Sequence, residues 1–90
     1  MLKPLGYQQL TLAGTAQALT VPDGTRYVTL RAEGADARWR DDGTDPTASI
    51  GMPLKATDTA PYLYIGPAEK LKFIEVAAGA IVNASFYANY

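Results

Sequence analysis

Hydrophobic and polar residues alternate with period two along much of the chain, and turn sequences separate the alternating stretches. In residues 26–33, the clearest stretch, Val28, Leu30 and Ala32 share one face and polar residues occupy most of the other. This pattern is typical of a strand with one buried face. Comparable patterns predict further strands at residues 8–12, 16–21, 37–40, 49–54, 62–65, 71–76 and 81–87.

The spacing of these strands predicts the fold class. A turn at Val21-Pro22-Asp23-Gly24 and a Gly66-Pro67 pair punctuate the chain, and residues 67–70 could add one helical turn at most. Regularly spaced short strands without a helical pattern favour an all-β fold. We therefore expect a small antiparallel β-sandwich or jelly-roll-like barrel of seven to eight short strands. It forms a single β-domain over residues 1–90, with residues 1–7 as an extended N-terminal arm.

Composition narrows the possible functions. The 90 residues are 48% hydrophobic and 19% charged with a formal net charge of −1, which is typical of one globular domain. Nucleic-acid binding usually needs a basic surface that this balance does not supply, and no stretch is long enough to span a bilayer. The chain has no Cys and no His, which removes thiolate chemistry and the commonest general base. We expect no nucleic-acid or membrane partner and no cofactor.

The acidic loop Asp41-Asp42-Gly43-Thr44-Asp45-Pro46 is the strongest candidate for a metal site. An EF-hand places Gly sixth and a bidentate acid twelfth, whereas Gly is third here and the twelfth position is Met52. We interpret the segment as a solvated turn whose acids face two arginines, with calcium binding as the alternative. The predicted structural loop comprises Arg38, Arg40, Asp41, Asp42, Gly43 and Pro46.

Catalysis is not predicted. Ser49 lies in a sequence that lacks the first Gly of a nucleophile elbow, and the chain offers it neither a His nor a suitably spaced Lys as a base. We therefore expect no catalytic residues and no enzymatic activity.

Trp39 lies between Arg38 and Arg40 and has two interpretations. It could stack on a base or sugar, but period-two alternation places it opposite the arginines and so favours a core position. The predicted core consists of Val28, Leu30, Trp39, Ile74, Val82 and Phe86.

The positions of the tyrosines predict a surface for binding partners. Alternation places most of the six tyrosines opposite the aliphatic positions of their strands, more than a solvated surface requires, and tyrosine is favoured at interfaces. Residues 71–76 carry apolar side chains on both faces, which calls for a partner subunit or a covering loop. The interface candidates are Tyr27, Tyr62, Tyr64, Phe73, Tyr87 and Tyr90.

Residues 38–54, with the sequence RWRDDGTDPTASIGMPL, form the most distinctive segment. The strand YVTLRAEG at residues 27–34 precedes it, and the segments YLYIG (62–66) and LKFI (71–74) follow it. This arrangement, over residues 16–87, resembles the central signature of small virion proteins encoded by tailed phages and prophages. The resemblance implies a structural role in the virion and transfers no catalytic residues.

The expected function is therefore that of a capsid decoration (cement) protein, located in the virion and assembled in the bacterial host's cytoplasm. Its expected partners are the major capsid protein or other virion proteins. Self-association is also expected, with a trimer favoured, because a closed ring can match a symmetry axis of the lattice. The alternatives are a head–tail or tail accessory protein, or a small carbohydrate- or receptor-binding β-module.

Overall fold

The computed structural model describes residues 1–90 and contains eight β-strands and one short 3-10 helix. The strands are β1 Leu2–Thr11, β2 Gln17–Ala18, β3 Tyr27–Glu33, β4 Ala37–Arg40, β5 Met52–Leu54, β6 Tyr62–Ile65, β7 Lys72–Glu75 and β8 Ile81–Asn89. The 3-10 helix, Ala68–Lys70, precedes β7. No helix has the length and apolar character needed to cross a membrane.

The strands form two four-stranded antiparallel sheets that enclose one core. Sheet 1 has the order β1-β8-β3-β6, and sheet 2 has the order β2-β7-β4-β5. The predicted all-β class is confirmed, and the arrangement is consistent with a small β-sandwich. The predicted single helical turn is also present.

Several predicted element boundaries were wrong. Residues 2–7 are not a separate arm, because they belong to β1 and pair with the end of β8, with a bulge between Pro4 and Gly6. The strand predicted at residues 16–21 is reduced to Gln17–Ala18. Just after it, the Gln8 side chain accepts a hydrogen bond from the Thr20 N–H at 2.8 Å. This bond satisfies a backbone donor without a strand partner.

The core comprises 16 buried side chains from both sheets and the loops between them. Five of the six predicted members belong to it, namely Val28, Leu30, Trp39, Val82 and Phe86. Ile74 is buried but lies outside this cluster, and its neighbour Phe73 is fully buried inside it. The two central residues of β7, Phe73 and Ile74, are both apolar. The alternation pattern alone therefore could not show which of them points toward the opposite sheet.

The turn after β3 depends on Gly34. Its φ is +82°, and a Cβ at this position would lie 2.3 Å from the carbonyl oxygen of Gly79. Any side chain at residue 34 would therefore clash with the β7–β8 turn. The absence of a side chain lets these two turns pack together at one end of the molecule.

Candidate functional site on the outer faces of the sheets

The β4–β5 loop (residues 41–51) closes onto the outer face of sheet 2. The Arg38 guanidinium donates to the carbonyl oxygens of Gly51 at 2.8 Å and Ala48 at 3.2 Å. Thr47 closes the tip of the loop, because its hydroxyl accepts from the Ile50 N–H at 2.9 Å. Arg38 and Ile74 are paired in register on this face. The loop and Arg38 therefore lie over this face, for which the sequence called for a partner subunit or a covering loop.

The acids of this loop bind separate partners. Arg40 Nε donates to Asp42 at 3.0 Å, and this pairing lowers the pKa of Asp42 and raises that of Arg40. Asp41 instead accepts a hydrogen bond from the Tyr64 hydroxyl at 2.8 Å. Burial and this bond together raise the pKa of Tyr64 well above its usual value. No group of three or more acidic, His or Cys side chains that could hold a metal is present.

The expected ion network around Arg38 and Arg40 is therefore only partly correct. Arg40 pairs with Asp42 as expected, whereas Arg38 binds backbone carbonyls and not carboxylates. Glu33, at the end of β3, is not part of this network and accepts a hydrogen bond from Asn83 on sheet 1. Of the other loop residues, Gly43 has φ of +87° and Pro46 is buried. Gly43 therefore forms a turn in the loop, and Pro46 anchors the loop to the domain.

Trp39 is in the core, as predicted, and its exposed fraction is only 6%. Its ring packs against Tyr62 at a centroid distance of 5.8 Å and edge-on against Tyr64 at 5.5 Å. Tyr64 is 4% exposed, so the expectation that it faces outward was wrong, and the same holds for fully buried Phe73. Tyr64 pairs in register with buried Val28, which places it on the inner face of sheet 1. Tyr62, also expected to face outward, pairs with buried Leu30 and so lies on the inner side, although it remains 44% exposed at the sheet edge.

The outer face of sheet 1 carries an uncharged row of side chains, one from each strand. Pro4, Tyr87, Tyr27 and Ile65 are paired in register across the sheet, so their side chains point to the same face. Leu2, two residues before Pro4 on β1, shares this face. We define the docking end as the set Leu2, Tyr27, Ile65 and Tyr87.

The docking end is accessible. Ile65 is 67% exposed, Leu2 is 41% exposed, and Tyr27 and Tyr87 are half-buried. A groove of about 350 Å³ adjoins it and is lined by Thr25, Arg26, Tyr27, Ile65, Gly66, Pro67 and Glu69. Two of the six interface candidates, Tyr27 and Tyr87, therefore lie together here, whereas Tyr90 follows the end of β8 and is 77% exposed. Leu2 and Ile65 were not among those candidates, although the alternation in β6 already placed Ile65 opposite Tyr64.

The other half of the same face is polar. Tyr7 donates its hydroxyl to the side-chain oxygen of Asn83, and Asn83 donates to Glu33 at 2.8 Å. Gln9 donates to both Asn83 and Glu33 at 3.3 Å. This cluster was not predicted from the sequence, because its members are up to 76 residues apart in the chain. Their positions on outward faces were predictable, but their proximity depends on how β1, β8 and β3 pair.

Comparisons with known proteins identify no relative. No family model, no curated protein and no solved structure matches the chain. Its function must therefore be inferred from these surfaces and from the distinctive segment at residues 38–54.

Proposed function

We propose that this protein is a structural component of a tailed-phage virion, a capsid decoration protein that binds the major capsid protein or a neighbouring virion protein. The docking end carries the proposal, because it is an uncharged and largely apolar surface on which all four strands of sheet 1 contribute side chains. Large exposed apolar patches on small domains typically mark sites of protein–protein contact.

The composition of the docking end suits a stable contact. Tyr27 and Tyr87 are half-buried by their neighbours, so little side-chain entropy remains to be lost when a partner covers them. Ile65 and Leu2 are exposed and offer new apolar area to bury. The charged residues Arg26 and Glu69 lie along the adjoining groove. An apolar centre with charges at its edge is the usual arrangement of a protein–protein interface.

The β4–β5 loop supports the same class of protein in a different way. The residues that carry the resemblance to phage virion proteins form one closed structure here, held by Arg38, Thr47 and the Arg40–Asp42 pair. Such a loop has a structural role, in which each distinctive residue maintains the shape of the domain. This interpretation agrees with a family whose members share a scaffold and not a catalytic site.

Self-association is part of the proposal, and a trimer is its favoured form. The accessible surface is 5140 Å², close to the value of about 5,100 Å² expected for a compact monomer of this mass. The single chain is therefore as compact as a typical monomer of its mass. Association would add contacts at the docking end and would increase affinity for a symmetric lattice through multivalency.

The direct test is the abundance and location of the chain in purified virions of its phage. Quantitative mass spectrometry should find copy numbers on the scale of the major capsid protein, and cryo-electron microscopy should place the chain on the head. A few copies confined to the tail would favour a tail accessory protein. Absence from the particle would overturn the proposal.

Variants test the surface itself. Ile65→Lys and Tyr87→Ser should prevent binding to heads that lack the protein, because each removes apolar contact area at the docking end. Ile50→Lys is the matched control, since Ile50 is 58% exposed but belongs to the loop on sheet 2. Sedimentation of each variant alone should show whether the same surface also joins copies of the chain. Equal head binding by all three variants would contradict the assignment of the docking end.

A further inference from the structure

A small depression at the centre of the outer face of sheet 1 has the features of a ligand site. It has a volume of about 140 Å³ and lies beside the polar half of that face. We propose that it binds a single pyranose ring of a glycan, an activity separate from the proposed attachment to the virion. We call it the Tyr7 pocket; its lining is Tyr7, Thr29, Leu30, Arg31, Pro61, Asn83, Ala84 and Ser85.

The apolar walls of the pocket match the faces of a sugar ring. A pyranose presents C–H groups on its faces and hydroxyl groups around its rim, so it requires a flat apolar surface bordered by polar groups. Tyr7 is 63% exposed and supplies an aromatic ring, and Pro61 contributes a second apolar ring. An aromatic ring at the surface of a binding site is the usual partner for such a ligand face.

The remaining lining residues carry polar side chains at the border of the pocket. Thr29 and Ser85 are paired in register on the outer face and both line the pocket. Arg31 has no carboxylate partner, because the two ion pairs of the protein involve Arg40 and Lys55. Its guanidinium therefore remains available to donate hydrogen bonds to sugar hydroxyls.

The side chain of Asn83 is held in place before any ligand arrives. Its oxygen accepts from Tyr7 and Gln9, and one of its two N–H donors is given to Glu33. The second N–H donor is left for a ligand. The same network fixes the Tyr7 ring through its hydroxyl. Fixing these groups in advance lowers the entropy cost of binding.

The location of the pocket is compatible with attachment through the docking end. The Arg31–Asn83 pair is two residues further along β3 and β8 than the Thr29–Ser85 pair. It lies on the side away from the row that contains Tyr27 and Tyr87. This polar half of the face also contains Gln9 and Glu33, which are exposed. A protein attached by its docking end would present the polar half to solvent, where it could meet glycans on a cell surface.

Titration of the ¹⁵N-labelled protein with glucose, galactose, N-acetylglucosamine and glucuronate, followed by NMR, tests the proposal. At least one sugar should shift saturably the signals of Tyr7, Thr29, Arg31, Asn83 and Ser85, with weak affinity as expected for a shallow site. If none of the four sugars shifts these signals at high millimolar concentration, or if the shifts lie elsewhere, the proposal is wrong.

Variants separate stacking from nonspecific binding. Tyr7→Ala should weaken sugar binding about tenfold or more, by analogy with the loss of an aromatic ring that stacks on a nucleobase. Tyr7→Phe keeps the ring and should retain most of the affinity. Tyr90→Ala removes another exposed tyrosine, one outside the pocket, and should leave binding unchanged. Circular dichroism should show that all three variants remain folded, and an equal loss in Tyr7→Ala and Tyr90→Ala would refute the site.

Discussion

The outer faces of the two sheets differ in whether their apolar residues are covered by other parts of the chain. On sheet 2, Ile74 is only 8% exposed, and its neighbour Arg38 is bonded to the carbonyl oxygens of the β4–β5 loop. On sheet 1, Ile65 is 67% exposed and Tyr7 is 63% exposed, with no loop over them. One face is thus closed by its own loop, and the other remains open.

This difference separates residues that maintain the fold from residues available for binding. A chain of 90 residues has a small core. On sheet 2, the β4–β5 loop is held by contacts within the domain and contributes to the stability of the fold. Leaving apolar side chains exposed favours aggregation unless they serve a contact. The open face of sheet 1 is therefore the better candidate for function, and the closed face of sheet 2 for stability.

The largest effect is expected for Trp39→Ala. The Trp39 ring packs against Tyr62 and Tyr64 of the opposite sheet, on the inner side of the sandwich, and its removal should lower the free energy of unfolding by about 3–5 kcal/mol. Tyr7→Ala, which removes an aromatic ring from the open face, should change it by no more than about 0.5 kcal/mol. Urea unfolding measures both, and similar losses in the two variants would contradict the core position of Trp39 and the surface position of Tyr7.

A smaller loss is expected for Gly51→Ala. Gly51 has φ of +147°, and a Cβ there would lie 3.1 Å from Arg38 Cβ and 3.2 Å from both Pro46 Cβ and the Trp39 carbonyl oxygen. Strain and crowding should together cost about 1–3 kcal/mol. The matched control is Gly14→Ala, because a Cβ added at Gly14 would have no neighbouring atom within 4 Å and the methyl group should be tolerated. A Gly51→Ala protein as stable as the control would show that the loop is not closely packed.

Next in size is Tyr64→Phe, which removes the hydrogen bond to Asp41 and should cost about 1–2 kcal/mol at neutral pH. It should also change the response to alkali. Because the pKa of Tyr64 is raised in the folded state, its contribution is complete below the ordinary tyrosine pKa of about 10 and is lost as the pH rises above that value. Unfolding at about pH 8 and about pH 10.5 should therefore differ more for the unaltered protein than for Tyr64→Phe. An identical pH dependence in the two proteins would exclude this role of Tyr64.

The smallest effect on stability is expected for Ile65→Lys. Ile65 lies on the open face at the edge strand β6, so its replacement should change the free energy of unfolding by no more than about 0.5 kcal/mol. Thermal unfolding is the appropriate measurement, with Ile50→Lys as a similarly exposed control in the loop. A large destabilisation by Ile65→Lys would mean that the docking end supports the fold and is not reserved for a partner.

Most of the strands were predictable because alternation is a local property. β3, β4 and β6 occur where the pattern placed them, and Trp39 faces the core as its spacing indicated. The shortened β2 was not predictable, because the Gln8 side chain, and not a neighbouring strand, binds the Thr20 N–H. The interface candidates lie on different faces for a similar reason. Tyr64 faces the core only because the register of β6 against β3 pairs it with Val28.

The amino-acid sequence by itself determined the all-β class, the inward position of Trp39 and the turns, because these depend on neighbouring residues and on the period of two. Only the tertiary structure decided that Phe73 and not Ile74 enters the core, and that Arg38 binds loop carbonyls. It also assembled the docking end and the Tyr7 pocket. The physical reason is strand register: a pairing between distant segments selects which side of each strand is covered and which side chains meet, and local pattern carries no information about it.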